Sequence, residues 1–134
     1  MQFLVNIDVD DLGKAVQFYR AAFGLQTGRR LGDAGIEMLG GAAPIHLLHK
    51  QAGTRATTAT DEQRRYTRHW SPLHLDVVVD DIEAAVQGAV AAGAIVEEAI
   101  SSHAWGKLAL MADPFGHGFC FVQLSERGYD AIGN

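Results

Sequence analysis

Cys120 is the only cysteine in the chain, so no intrachain disulfide can form. At 134 residues, 48% of them apolar and 20% charged, the chain is large enough to bury an ordinary core without one, and a single domain spanning 1–134 is expected. Basic residues are in deficit: 11 Lys and Arg face 16 Asp and Glu, for a net charge of −5. That balance argues against nucleic acid as a partner. No run reaches the roughly eighteen apolar residues of a membrane span, and even residues 84–96 are interrupted by Gln87 and glycines. The opening MQFLVNIDVDD has neither the basic start nor the long apolar stretch of a signal peptide, which makes the cytoplasm the expected compartment. There is no Walker-type or G-x-G-x-x-G loop to cradle phosphate, and no Ser-His-Asp set stands out.

What the chain does have is a repeat. Val9-Asp10-Asp11 returns as Val79-Asp80-Asp81, 70 residues later, and the likeness spreads to LVNIDV against HLDVVV and to LGKAVQ against IEAAVQ. Each copy opens with alternating apolar residues, Val5, Ile7 and Val9 in one and Leu75, Val77 and Val79 in the other, the period-two mark of a strand with one face on a core. A helix follows in each: Leu12, Ala15, Val16, Tyr19, Ala22 and Phe23, then Ile82, Ala85, Val86, Ala89 and Val90, fall at helical spacing. Asp10 or Asp11 caps the first helix, Asp80 with Glu83 reads as a capping box for the second, and Gly24 and Gly93 are the expected stops. Three strands follow in each copy, near 26–31, 36–39 and 45–50, then near 95–100, 108–112 and 118–124. Asp113-Pro114-Phe115-Gly116 supplies the turn between the last two. The expectation is an α+β fold of two β-α-β-β-β modules in pseudo-twofold repeat, about 1–50 and 69–126. Residues 51–68, rich in Thr, Ala, Gln and Arg, form a connector that could act as a flap; its Arg64-Arg65-Tyr66-Thr67-Arg68-His69 cluster reads as a solvated edge.

The duplicated unit, with NIDVDDLGKAVQFYRAAFGL at its start and LMADPFGHGFCFVQL near its end, resembles the glyoxalase/bleomycin-resistance/extradiol-dioxygenase superfamily, the vicinal oxygen chelate proteins, over nearly the whole chain. The resemblance implies curved sheets around a cleft, with metal ligands in some members taken from the first and last strands of each module. Here those positions are Leu4, His46, His74 and Cys120. Leucine has no donor atom. The implied metal set is therefore His46, His74 and Cys120, for a divalent Zn, Ni, Mn or Fe ion. Two imidazoles and a thiolate suit zinc better than they suit dioxygen-activating iron, so a dioxygenase is the less favoured outcome.

Strand parity places Asn6, Asp8, His74 and Asp76 on the side opposite the apolar core residues. Asp8 and Asp76 are the candidate catalytic bases. Asn6, Asp76, Leu48 beside His46, and Trp105 with Lys107 are the candidate ligand contacts; an aromatic wall with a cation suits an anionic or planar ligand. Each also has a plain reading: His74 as a hydrogen-bonded wall residue, Cys120 as a buried filler, Trp105 at a subunit contact. About 7 Å along the strand separates residues 74 and 76, an awkward spacing for joint ligation. Two functions stay open. One is a metal-dependent lyase or isomerase acting on a small oxygenated molecule; the other is a metal-free binding protein that sequesters a drug or metabolite, with Asp8, Asp76 and Glu37 drawing a cationic or hydrogen-bonding ligand. A homodimer is expected in either case, and a cleft serving only a dimer partner is a third possibility.

Overall fold

Alternating apolar residues and a helix-capping aspartate are followed by the same local structure in both halves of the chain. The computed structural model describes residues 1–134 and divides into two units, Met1–Thr67 and Arg68–Asn134. In the first, β1 (Val5–Val9), α1 (Leu12–Phe23), β2 (Gln26–Arg30), β3 (Gly35–Leu39) and β4 (Ile45–His49) follow in order. In the second the order is β5 (Leu75–Val78), α2 (Ile82–Ala91), β6 (Ile95–His103), β7 (Gly106–Ala112) and β8 (Gly118–Leu124), with a short 3-10 turn at Gly128–Ala131. The expected α+β class and the two β-α-β-β-β modules are what the chain forms. The sheets run β1-β4-β3-β2 and β5-β8-β7-β6, and in each the first strand lies parallel to the last while the other pairs are antiparallel.

Helix α1 packs on β2, β3 and β4, and the core of its unit is made by Val9, Ala15, Phe18, Tyr19, Met38 and Leu47, all nearly or fully buried. Asp11 caps the helix by accepting a hydrogen bond from the Lys14 N–H at 3.0 Å, and Gly24 ends it at φ 67°, a left-handed turn that favours glycine. In the second unit α2 packs on β6, β7 and β8 over Ile82, Ala89, Ala109, Met111 and Phe121. Its cap corrects the expected capping box: Asp81, not Asp80, accepts from the Ala84 N–H at 3.0 Å, while Glu83 turns away to pair with Lys107. Strand β6 runs past its expected end at residue 100 to His103, because the chain reverses only at Ala104-Trp105, and two register shifts accommodate the extra length. The Asp113 turn joins β7 to β8 as expected. Its buried carboxylate accepts from the N–H groups of Phe115 and His117 at 2.8 and 2.9 Å, so the corner is held without solvent.

These pairings leave one face of each sheet free of its helix. In unit one that face carries the row Asn6, His46, Glu37 across β1, β4 and β3; in unit two the equivalent row is Asp76, Cys120, Leu110 across β5, β8 and β7.

Candidate functional site

The face of unit two concentrates the chemistry. Because β5 and β8 are parallel neighbours, Asp76 lies in register with Cys120, and His74, two residues earlier, projects from the same side of its strand. The imidazole Nε2 of His74 stands 3.2 Å from Oδ1 of Asp76. The ligating atoms of His74, Asp76 and Cys120 all fall within 4.8 Å of one another. Backbone spacing alone made residues 74 and 76 look too far apart to cooperate; their exposed side chains close that gap by leaning together. His74 and Asp76 are about half exposed, whereas Cys120 is buried. Burial in the sheet, reinforced by the neighbouring Asp76 carboxylate, pushes the Cys120 thiol up to about 11. His74 and Cys120 line an open pocket of about 210 Å³, with Trp70, Leu73, Met111 and Phe119 among its apolar walls and Arg68 and Glu97 at its polar side.

Arg68 and Glu97 form a paired rim. The guanidinium donates from Nε to Oε2 at 2.6 Å and from Nη2 to Oε1 at 2.9 Å, holding the carboxyl below its ordinary range. This arginine crosses β8 at Gly118, where a Cβ would come within 2.5 Å of its Nη2, so a side chain there would push the guanidinium aside. Sequence reading assigned Arg68 to a solvated connector edge and missed both it and Trp70. The only available signal was a basic, aromatic stretch directly preceding a strand.

Unit one treats its candidates differently. Asn6 is exposed on β1. Asp8, expected as a base, is ion-paired: Nε of Arg64 donates to its Oδ2 at 2.8 Å. That contact also fixes the connector. Arg64 exchanges backbone hydrogen bonds with Gly53 and Thr54, and the Tyr66 hydroxyl donates to the Lys50 carbonyl at 2.5 Å, so residues 51–67 fold back on their own module. Leu48 lies in register with Asp8 and Gly35 and is half-buried. His46 sits between Asn6 and the buried Glu37 in its row. Glu37 is committed to Arg29, whose guanidinium donates to its two oxygens at 3.1 and 2.8 Å and, with the Arg29 N–H, holds the carboxyl down at about 2. Nε2 of His46 lies 3.7 Å from Oε2 of Glu37 and has no hydrogen-bond partner.

Trp105 and Lys107 do not form the aromatic and cationic wall expected of them. Trp105 stacks on His103, ring centroids 4.8 Å apart and nearly parallel, and touches Tyr129. Lys107 belongs to the helix side of β7, where its Nζ donates to Glu83 of α2 at 2.8 Å. The alternation of 105, 107 and 109 was real, but it marks the helix-covered face, as the fully buried Ala109 shows.

The metal set implied by the resemblance fits these residues only in part. Leu4 offers nothing, and the neighbour of His46 is a carboxylate already held by arginine. The donors that the structure gathers are His74 and Cys120 with Asp76, a nitrogen, sulfur and oxygen set suited in kind to zinc.

Residues 4–122 match the family model described as a glyoxalase-like domain. Among curated proteins, the anthracycline biosynthesis protein DauV of Streptomyces sp. (strain C5) is 35% identical over 127 residues; the match takes in 91% of this chain but 41% of DauV, so the chain spans about two fifths of that relative's length. A glyoxalase/bleomycin resistance protein/dioxygenase family enzyme from Burkholderia phytofirmans PsJN superposes with a TM-score of 0.68 at 19% identity, covering 91% of this chain and 97% of that one. TioX from Micromonospora sp. ML1 superposes at 0.70 with 17% identity, covering 93% and 99%. At those identities the two structures speak for the fold alone. No helix is long and apolar enough to cross a membrane. A family match over nearly the whole length, a fold shared with solved members and a duplicated β-α-β-β-β unit agree: this chain belongs to the glyoxalase-like domain family.

Proposed function

We propose that the chain binds a small, planar, oxygenated molecule on the free sheet face of its second unit. One observation carries this reading: His74, 3.2 Å from the Asp76 carboxylate, lines an open pocket with mostly apolar and aromatic walls, and the Arg68–Glu97 pair stands at its polar side. Small-molecule sites have this composition, a mostly apolar lining with a few placed polar groups. The pocket of about 210 Å³ is smaller than the roughly 300–1,000 Å³ usual for drug-sized ligands. It would seat one oxygenated ring edge and leave the remainder of a larger molecule outside. Hydroxyl or carbonyl oxygens would meet the imidazole and carboxylate, and the ring would lie against Trp70 and Leu73, both largely exposed. Similarity to an anthracycline biosynthesis protein supports a polycyclic aromatic of that kind as the ligand class.

A catalytic reading rests on the same pair. For a ligand with an acidic C–H beside a carbonyl, the Asp76 carboxylate is the group placed to take that proton, and His74 would stabilise it. Asp8 is not free for that task because Arg64 holds it.

Titrating a hydroxyanthraquinone into the full chain, with chelator present, while reading tryptophan emission tests the binding claim. We expect quenching that Trp70→Phe removes and that persists in Trp105→Phe. His74→Ala or Asp76→Asn should each weaken binding about 3- to 10-fold, the usual worth of one hydrogen bond. No quenching at the ligand's solubility limit, or quenching unchanged in Trp70→Phe, would overturn the reading.

A further inference from the structure

We propose that the second module by itself holds a divalent transition-metal cation, zinc in type, through His74, Asp76 and Cys120. The set differs from the one implied by the family resemblance, which draws on both modules and includes His46. It rests on the same face as the ligand reading, but it needs no organic ligand to be tested.

Three observations carry it. The three donor atoms already lie within 4.8 Å of one another. Zinc bonds of about 2.0–2.3 Å in tetrahedral geometry require donors about 3.3–3.8 Å apart, so contraction by about 1 Å is needed. His74 and Asp76 can supply it, since both side chains are about half in solvent, and they already meet each other at 3.2 Å. The backbone then does the positioning: Asp76 and Cys120 are register partners on hydrogen-bonded parallel strands, and strand alternation puts His74 on the same side. Finally, two of the three donors, His74 and Cys120, line an open pocket, which leaves a fourth position for water or for an oxygen of a bound molecule, as in zinc sites with three protein ligands.

Donor chemistry selects the cation. One imidazole, one carboxylate and one thiolate form a borderline-soft set; calcium and magnesium, which want six or more oxygens or near-octahedral oxygen geometry, are poorly served. The Cys120 thiol gives up its proton when the metal–sulfur bond forms, with zinc or cobalt taking its place. A bound cation would polarise a ligand oxygen. Asp76, as a metal ligand, would then orient the site rather than act as a free base.

The test uses cobalt(II) alone as the probe, added to the full, tag-free chain in the absence of any organic ligand. We expect one cobalt per chain, a thiolate-to-cobalt charge-transfer band in the near ultraviolet, tetrahedral bands in the visible, and displacement of all of them by zinc. Cys120→Ser should abolish the near-ultraviolet band. Asp76→Asn and His74→Ala should each lower affinity about tenfold or more, with far-ultraviolet circular dichroism confirming that these surface changes leave the fold intact. His46→Ala discriminates between the ligand sets: unchanged affinity supports the one-module set, whereas loss of binding assigns the metal to the two-module set and overturns this one. Absence of the charge-transfer band at saturating cobalt overturns it as well. Because the quinone titration is run with chelator, either claim can fail while the other stands.

Discussion

At the scale of single residues, Cys120 shows how position sets chemistry. Buried on β8 and facing the Asp76 carboxylate, its thiol sits at about 11 and stays protonated at neutral pH. Thiolate is the reactive form, so alkylation of metal-free protein by iodoacetamide should be far slower at pH 8 than that of a free cysteine, and should climb until about pH 11. Asp76→Asn removes the like charge but not the burial that is the larger cause. Its alkylation at pH 8 should therefore speed up several-fold and still lag an exposed thiol. A rate profile with a midpoint near 8.5 in the parent chain would refute this account. The sequence made Cys120 and His74 visible, because parity along a strand depends on the chain alone. It hid the ion pairs of Arg68, Arg64 and Glu37: their partners, Glu97, Asp8 and Arg29, come from other strands or loops, and such pairings are fixed only by register and side-chain reach.

At the scale of elements, helices and strands were legible where a single face is buried, because burial enforces periodicity. Both helices and all eight strands were anticipated, and the largest shift in a strand end, that of β6, came where the turn carries no proline or asparagine to announce it. Caps were harder, since adjacent aspartates, 10–11 and 80–81, compete for one role, and backbone geometry decides between them. In both repeats the second aspartate wins. Asp81→Ala should thus destabilise the chain by about 1 kcal/mol, while Asp80→Ala should change stability by less than about 0.5 kcal/mol, measured by urea denaturation. Equal effects would mean that the cap assignment is wrong. The turn into β7 is stricter: Gly106 has φ 146°, and a Cβ there would meet the Gln123 carbonyl oxygen, so no side chain is accommodated without displacing β8.

At the scale of the whole molecule, stability is framed by groups whose protons are held differently in the folded and unfolded chain. Arginine and lysine partners hold Glu37, Glu97 and Glu83 below their ordinary values, with Glu37 at about 2, whereas burial holds Cys120 up at about 11. Below about pH 4.5 the unfolded carboxylates take up protons that the folded ones still refuse, so stability falls as the pH drops towards 2. Above about pH 9 the unfolded thiol releases a proton that the folded one keeps, so stability falls again as the pH rises towards 11. Glu37→Gln isolates the largest acid contribution. The variant should be less stable than the parent at pH 7, because Arg29 loses its anion, and the two urea midpoints should converge as the pH falls through about 2, where the parent's carboxyl takes up its proton. Parallel curves across the acid limb would show that the Arg29–Glu37 pair contributes no pH-dependent stability, and would move the acid sensitivity of the fold to the pairs in the second unit.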